Sequence, residues 1–210
     1  MPGNIPLTIF AKEPIPGRVK TRLHGFLSET LCARLADQLL MDAVKNAIDY
    51  WPGEVCVAAW PEKDSAYFRQ LSDQNNIEIV QQIEGDLGEK MSAELRRGIE
   101  RAGAAAVVGA DIPHLDNSIY SSAFDLLSSG RDTVGPTEDG GFYFLGLTRM
   151  PDKIFKQITW GNNQVMERLN QNVIDFNMVL EPLPMYRDID EWTDLQWLAC
   201  QNSSYQTYIG

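Results

Sequence analysis

Residues 5–23 read IPLTIFAKEPIPGRVKTRL, an apolar run that leads directly into a loop rich in lysine and arginine. The run from Ile5 to Phe10 is typical of a buried N-terminal strand. Pro14 and Pro16 stiffen the loop that follows, while Gly17 permits a tight turn. The segment therefore predicts a first strand that ends in a shaped loop.

This loop is basic, although the whole protein carries a formal net charge of −11. Lysine and arginine side chains offer charged donors to phosphate oxygens, but the prolines lack the backbone N–H groups that a glycine-rich phosphate loop uses. The loop indicates a site for a small anion such as a nucleotide phosphate, and a solvated basic turn is the alternative. Its basic residues are Lys12, Arg18, Lys20 and Arg22.

Strand-like apolar runs alternate with helical periodicity through most of the chain. This repeated order predicts an α/β fold with helices on both faces of one sheet. Ligands of such sheets collect at the carboxyl ends of the strands. The predicted strands cover residues 5–10, 55–60, 77–82, 104–109, 133–136 and 142–147, and the predicted helices begin after Ser28 and Asp64 and near residues 91 and 119.

Length and composition predict one domain with a sizeable core. The 210 residues are 44% hydrophobic and 22% charged, and we expect a domain over residues 1–200 and a loosely ordered polar tail over 201–210. The acidic balance argues against nucleic-acid binding, no apolar run approaches a membrane span, and no signal peptide is visible, so we expect a cytoplasmic protein. Cys32, Cys56 and Cys200 are scattered, which predicts reduced core thiols.

Two acidic segments are candidates for a metal site. The sequence VVGADIP ends a buried-type strand in Asp111, where a carboxylate could hold Mg²⁺ or Mn²⁺ over a diphosphate or could merely form a turn. Asp116, just downstream, is better interpreted as a helix cap. In the sequence RDID, strand alternation would place Asp188 and Asp190 on the same side. They could complete the metal site or form an acidic solvent face.

Two turns contain glycine beside acidic residues. In GPTEDGGF, at residues 135–142, Glu138 or Asp139 could bind sugar hydroxyls or act as a base, and a hairpin turn is the alternative. In EGDLGEKM, at residues 84–91, a turn leads into a helix and could close over a nucleotide base, and helix capping is the alternative.

The remaining ring side chains carry weaker signals. Trp160 could stack on a ligand ring, although packing in the core is the alternative. His24 and His114 are the two histidines of the chain, and neither has a serine or cysteine partner in a recognisable pattern. We expect His114 to lie on the surface.

Together these segments resemble the glycosyltransferase-like family associated with radical-SAM/selenodomain proteins, also described as arsenosugar-biosynthesis glycosyltransferases, within the GT-A nucleotide-diphospho-sugar transferase superfamily. The resemblance runs from Phe10 to about Leu198. The chain departs from the family at Gly161-Asn162, where serine and threonine are common, and at residues 191–193, where Thr-Pro-Glu is usual. The matching blocks are FAKEPIPGRVKTRL, GDLGEKM, GADIPHL, GPTEDGGFYFLGL, ITWGNNQV and RDIDEWTDL.

The resemblance implies a Rossmann-like GT-A fold, a three-layer αβα arrangement with a mostly parallel mixed sheet. It also implies a metal-dependent glycosyltransferase that uses a nucleotide sugar, an unidentified small-molecule acceptor and Mg²⁺ or Mn²⁺. Asp111 and Asp190 would bind the metal, and Asp139 and Lys20 would be catalytic. The nucleotide would contact Phe10, Ala11, Lys12, Gly17, Arg18, Lys20, Arg22, Gly85 and Asp86. The sugar or acceptor would contact Glu138, Asp139, Gly140, Gly141 and Trp160.

Two other functions stay open. A nucleotidyltransferase would join a nucleoside triphosphate to a phosphorylated acceptor and release pyrophosphate. The related cofactor guanylyltransferases share this fold but usually hold the triphosphate on a glycine-rich loop, whereas Gly17 is the only glycine between Phe10 and Leu23. A catalytically silent protein would bind nucleotide without turnover.

Overall fold

One mixed sheet organises the part of the chain that the computed structural model describes, residues 4–210. The first three residues of the predicted domain 1–200 lie outside the described residues. The strands are β1 (Leu7–Lys12), β2 (Val55–Trp60), β3 (Glu78–Gln81), β4 (Ala105–Gly109), β5 (Asp132–Pro136), β6 (Phe142–Leu147) and β7 (Leu180–Pro182).

The strand order across the sheet is β3-β2-β1-β4-β6-β5-β7. β6 runs antiparallel to both of its neighbours, β4 and β5, whereas the pairs β1–β2, β1–β4, β2–β3 and β5–β7 are parallel. The predicted mostly parallel mixed sheet is confirmed. Because β6 is reversed, the turn that precedes it lies at the same edge as the carboxyl ends of β4 and β5.

Helices cover both faces of this sheet, which confirms the three-layer αβα fold. They are α1 (Glu29–Tyr50), α2 (Ala66–Asn75), α3 (Leu87–Ala102), α4 (Asn117–Ser128), α5 (Val165–Asp175) and α6 (Trp192–Gln201). Side chains of α1, α2 and α4 pack in one buried cluster with the sheet, and those of α3 and α5 pack in another on the opposite face. α6 packs on the outer side of α1.

β4 shows why the sheet accepts helices on both sides. Ala106 and Val108 belong to the cluster with α1 and α4, whereas Ala105 and Val107 belong to the cluster with α3 and α5. Successive side chains of a strand point to opposite faces, so a strand covered on both faces is apolar throughout. Because β4 ends at Gly109, Asp111 lies just beyond the strand, at the carboxyl edge of the sheet.

Capping residues in the sequence predicted several of the helix ends. The Ser28 side chain caps α1 and Gly103, at φ 80°, ends α3, as predicted. The expected cap Asp64 is wrong by one residue, because Ser65 accepts the first bond of α2. The expected strand around residues 187–190 is also wrong. The isolated bridge of this region lies at Tyr186, and the residues after it turn across the end of β4.

The C-terminal tail is ordered, so the expectation of a loose tail is wrong. Residues Ser203–Tyr208 form a short 3-10 helix. Tyr205 is fully buried, and its hydroxyl donates to Asp42 Oδ2 at 2.6 Å. Tyr208 is also buried and reaches the backbone carbonyl of Arg34. Burial of two tyrosine rings, each with a partner for its hydroxyl, holds this polar segment on α1.

Two sequence expectations concern cysteines and membranes. Cys32 and Cys56 are buried free thiols as expected, but Cys200 is an exposed thiol on α6, so that part of the prediction is wrong.

Across residues 4–210, no helix has both the length and the apolar character needed to cross a membrane.

Candidate functional site

The carboxyl edge of the sheet gathers loops that are distant in sequence. β1 leads into the basic loop there, β4 leads into Asp111, and the β5–β6 turn returns to the same edge. The segment before α6 crosses this edge, where the backbone N–H of Ile189 donates to the carbonyl of Asp111 at 3.0 Å, and Tyr186 N–H donates to Pro136 O at 3.1 Å. These bonds hold residues 186–189 over the ends of β4 and β5.

The ammonium of Lys20 joins two aspartates at the centre of the site. Its Nζ lies 2.7 Å from Asp111 Oδ1 and 3.1 Å from Asp190 Oδ1, and it donates to the carbonyl of Ile189 at 2.5 Å. The side chain is 5% exposed. Burial by itself lowers the pKa of the Lys20 ammonium, but both aspartates raise it, and the net shift is upward. The protein therefore holds a charged ammonium whose three donors are all engaged.

The backbone of Lys20 is itself unusual. Its φ of 47° and ψ of 42° place it in the left-handed region, which costs a non-glycine residue roughly 1 kcal/mol or more. Such a conformation persists where surrounding contacts determine it, as the three oxygens around Nζ do here. The strained residue is therefore the one whose ammonium contacts Asp111 at the carboxyl edge of the sheet.

Several carboxylates lie near this ammonium and affect one another. Burial and the carboxylates of Asp139 and Asp190 raise the pKa of Asp188 to about 6, with a smaller contribution from Asp111. Arg22 offsets part of this charge from the solvent side, with Nη1 3.1 Å from Asp190 Oδ2. Asp111, Asp188 and Asp190 thus lie close together beside the two cations that are paired with them, Lys20 and Arg22.

The donor set suits a hard divalent cation. Asp111 and Asp190 already converge on one positive charge, and both lie close enough to Asp188 to raise the pKa of its carboxyl. Among residues 4–210, no three side chains of the metal-ligating kinds are already gathered as a site. Magnesium in nucleotide sites is usually bound by one or two carboxylates together with substrate phosphates and water. Two converging aspartates fit that pattern.

A cleft of about 300 Å³ lies between the basic loop and Asp111. Lys12 and Arg18 line it, and both are exposed and form no ion pair with any residue in the described range 4–210. Gly17, at φ 79°, supplies the left-handed turn that the loop needs. Of the four predicted phosphate contacts, two cations are therefore free to meet an anion, whereas Lys20 and Arg22 are paired with aspartates.

A second, largely apolar cavity of about 200 Å³ adjoins this cleft, since Phe10 lines both. Trp160 lines the cavity beside Phe142 and Met91. Its ring also packs against Phe142 with centroids 6.4 Å apart. The indole Nε1–H is buried and has no hydrogen-bond partner within the described part of the chain. Trp160 is thus both a packing residue and an unsatisfied donor at a cavity wall.

The β5–β6 turn presents Asp139 to both the apolar cavity and the acidic site. Asp139 Oδ1 accepts from Thr137 Oγ1 at 2.5 Å and from the backbone N–H of Gly141 at 3.1 Å. Within residues 4–210, no side chain donates to Oδ2. Gly140, at φ 88°, lies so close to the carbonyl of Asn163 that a Cβ would be 2.2 Å from it. One carboxylate oxygen is anchored and the other is available.

Glu138 has a different role in this turn. Its Oε2 accepts from Arg187 Nε at 2.9 Å and Nη2 at 2.7 Å. No local sequence pattern indicates this pair, because 49 residues separate its members. Arg187 also lies 4.0 Å from Asp194, so it ties the β5–β6 turn to the start of α6. Glu138 therefore helps to fix the turn.

The turn before α3 caps the helix. Asp86 accepts from Glu89 N–H and Glu89 accepts from Asp86 N–H, a reciprocal capping box that confirms the alternative interpretation of this motif. Gly85 has a φ of 131° beside it. Leu87 and Met91, which sequence reasoning treated only as helix residues, line the apolar cavity. Their i and i+4 spacing could have indicated a shared face.

The predicted nucleotide contact Ala11 is a sheet residue. Its side chain is buried in the core on the α1 face, and its carbonyl accepts from Gln82 Nε2 at 3.3 Å. Ala11 does not line the cleft, whereas its two neighbours in sequence, Phe10 and Lys12, do.

His114 is not a surface histidine, so that expectation is wrong. Its ring packs against Tyr186 and Trp197, with centroids 5.2 and 5.0 Å away, and both ring nitrogens are buried without a partner within residues 4–210. Burial lowers the pKa of His114 from 6.5 to about 4. The histidine is therefore neutral and supports the segment that carries Asp188 and Asp190.

This burial predicts a pH dependence of stability. Because the folded pKa of His114 lies below the unfolded value, the unfolded chain binds the proton first as the pH falls, and the neutral ring stabilises the fold above pH 6.5. Between about pH 7.5 and about pH 5 we expect the loss of about 2 kcal/mol of unfolding free energy. Urea unfolding of His114→Phe should lack this component of the slope. An identical pH slope in the variant and the parent would contradict the assignment.

Comparison with protein families gives one match to this chain. A family described as "Uncharacterized protein conserved in bacteria (DUF2064)" matches residues 43–162, more than half of the sequence. Those residues include β4, Asp111, the β5–β6 turn and Trp160, whereas the basic loop and Asp190 lie outside them. No curated protein gives a significant match.

Solved structures share the fold over nearly the full length. A candidate nucleotide-diphospho-sugar transferase from Desulfovibrio desulfuricans G20 is 24% identical, with a TM-score of 0.85 over 97% of this chain and 90% of that chain. A cytidylyltransferase from Leptospira borgpetersenii is 14% identical, with a TM-score of 0.61 over 98% and 92%. Rv0371c from Mycobacterium tuberculosis H37Rv, solved in complex with manganese, is 16% identical, with a TM-score of 0.54 over 93% and 97%. These likenesses show the fold.

Proposed function

The chain belongs to the DUF2064 family of uncharacterized proteins conserved in bacteria, and we propose that it is a metal-dependent glycosyltransferase with a nucleotide-sugar donor and a small-molecule acceptor. The observation that carries the proposal is the cleft in which the free cations of Lys12 and Arg18 face Asp111 and Asp190. Transfer of a sugar leaves a nucleoside diphosphate, so catalysis needs positive charge where the diphosphate departs.

The donor diphosphate would lie in this cleft. Asp111 and Asp190 would hold Mg²⁺ or Mn²⁺, which when bound neutralises charge on the leaving diphosphate. The manganese complex of the M. tuberculosis relative supports a divalent ion in this fold. Lys12 and Arg18 would donate to the phosphate oxygens on the loop side. The Gly85–Asp86 turn would flank the nucleotide base.

Asp139 is the proposed base for the acceptor. Its anchored Oδ1 fixes the carboxylate orientation, and its unbonded Oδ2 is free to take a proton from an acceptor hydroxyl. Gly141 lines the cavity and would let the backbone approach the sugar closely, whereas Gly140 allows the close contact of the turn with Asn163. Glu138 holds the turn in place through its pair with Arg187.

The apolar cavity is the proposed site for the ring of a substrate. Trp160 offers a flat apolar surface, and its buried Nε1–H would gain a partner from a hydrogen-bond acceptor on the ligand. Phe10 would separate this ring from the diphosphate cleft, because it lines both spaces.

Nucleotidyl transfer is the second candidate. The likeness of the fold to that of a cytidylyltransferase supports it. The first loop favours glycosyl transfer instead. Gly17 is the only glycine between Phe10 and Leu23, so charged side chains take the place of a glycine-rich cradle.

One assay separates the candidates. The protein is incubated with Mn²⁺ or Mg²⁺, a panel of acceptors, and either nucleotide sugars or nucleoside triphosphates. Release of nucleoside diphosphate from a nucleotide sugar is the result expected for glycosyl transfer. Pyrophosphate release would instead assign nucleotidyl transfer, and nucleotide binding with no turnover across both panels would assign the silent binding protein.

A further inference from the structure

We infer that the Lys20 ammonium is the resident counter-ion of Asp111 and Asp190, and that it must leave them before a divalent cation can bind. The inference rests on the proposed function, because it concerns the same two carboxylates. It adds a role that neither the loop sequence nor the fold assigns to Lys20, that of a positioning residue which opposes binding of metal without nucleotide.

The Lys20 ammonium occupies the carboxylates that a metal would need. Asp111 Oδ1 and Asp190 Oδ1 are the two carboxylate atoms that contact Nζ, at 2.7 and 3.1 Å. A metal held by both aspartates would share these two carboxylates with Nζ, since Arg22 already holds the other oxygen of Asp190. An ammonium and a divalent cation side by side there would repel each other strongly in a site where Lys20 is 5% exposed. Occupancy by one cation therefore excludes the other.

The neighbouring cleft offers a destination for the displaced ammonium. Lys20 lines the cleft that also contains Lys12 and Arg18, where a diphosphate would offer new acceptor oxygens. A lysine can reach these oxygens because its ammonium is a compact charge on a flexible four-carbon stem. Metal alone offers Lys20 nothing in exchange for three oxygen partners, whereas metal with nucleotide does.

Binding of metal and nucleotide should consequently be coupled through Lys20. A nucleoside diphosphate would raise the affinity for the metal, and the metal would raise the affinity for the nucleotide by the same factor. Loss of the ammonium should free the aspartates, so that metal binds without nucleotide and the coupling shrinks.

The test is an Mn²⁺ titration followed by electron paramagnetic resonance, with the full chain in the absence and presence of UDP, GDP, CDP or ADP. We expect Lys20→Met to bind Mn²⁺ alone about tenfold or more tightly than the parent, because it removes a like charge from the site. Lys20→Arg, which keeps the charge, should stay near the parent, and Lys20→Gln provides a second neutral variant should the methionine not fold. Lys45→Met, which breaks the exposed pair with Asp49, is the matched control and should bind Mn²⁺ as the parent does.

The outcomes distinguish the inference from the proposed function. Tighter Mn²⁺ binding in the neutral variants, with a smaller effect of nucleoside diphosphate, supports the inference. Equal Mn²⁺ affinity of parent and neutral variants, with nucleotide coupling intact, overturns the inference and leaves the metal-dependent function standing. Absence of Mn²⁺ binding in every variant, with or without nucleotide, overturns both.

Discussion

Replacement of Asp111 by asparagine should abolish metal-dependent nucleotide binding, with a loss of at least about 100-fold in affinity. The substitution removes an anionic ligand, whereas changes to mere supporting groups around metals already cost about 10–100-fold. Asparagine retains an oxygen that can accept from Lys20, which also keeps Asp190 and the Ile189 carbonyl. The fold should therefore survive. Calorimetry with Mn²⁺ and a nucleoside diphosphate gives the affinity directly.

Asp116→Asn is the matched control for this experiment. Asp116 lies five positions downstream and caps α4, where its carboxylate accepts from the backbone of Ser118 and Ile119. Asparagine is an equally good cap, so stability should change little. Nucleotide binding should not change. An Asp111→Asn protein that binds nucleotide with metal as tightly as the parent would remove Asp111 from the metal site.

Replacement of Asp139 by asparagine should lower the turnover number by about 10²–10⁴, the usual contribution of a general base. Asparagine can still accept the bonds from Thr137 and Gly141 through its Oδ1, but an amide nitrogen replaces the free Oδ2. The turn should keep its shape while the proton acceptor is lost. The measurement is the rate of nucleoside diphosphate release from the donor, with an acceptor or with water.

A measurement of nucleotide affinity shows whether Asp139→Asn has lost the catalytic base or has lost the ability to bind the donor. Nucleotide affinity with metal should be the same in Asp139→Asn and in the parent, because Asp139 lies outside the diphosphate cleft. Asp49→Asn, which changes a carboxylate on the outer surface of α1, should retain the full rate. A turnover number for Asp139→Asn within a few-fold of the parent would exclude Asp139 as the base.

The fold could be predicted because its signals are local. β2 and β6 have the bounds that their apolar runs indicated, Val55–Trp60 and Phe142–Leu147. Helix ends followed from capping residues such as Ser28 and Gly103. The same local reasoning failed in the C-terminal tail, because the burial of Tyr205 depends on Asp42, which lies 163 positions earlier.

The site could be predicted only as a set of residues at one edge. Strand ends placed Asp111 and the basic loop there, and the structure brings Asp190 to them. The roles assigned to these residues stay predictions. The ion-pair partners of these residues could not be predicted from the sequence. No local pattern indicates that the Lys20 ammonium donates to Asp111 and Asp190, which lie 91 and 170 positions away, rather than to a phosphate. The same is true of the pair between Glu138 and Arg187.

A crystal structure with Mn²⁺ and a nucleoside diphosphate tests the central claim most directly. The account predicts an anomalous scattering peak between the carboxylates of Asp111 and Asp190, with the phosphates against Lys12 and Arg18 and the Lys20 ammonium moved off the aspartates. A nucleotide bound away from this cleft, or manganese bound out of reach of Asp111, would contradict it.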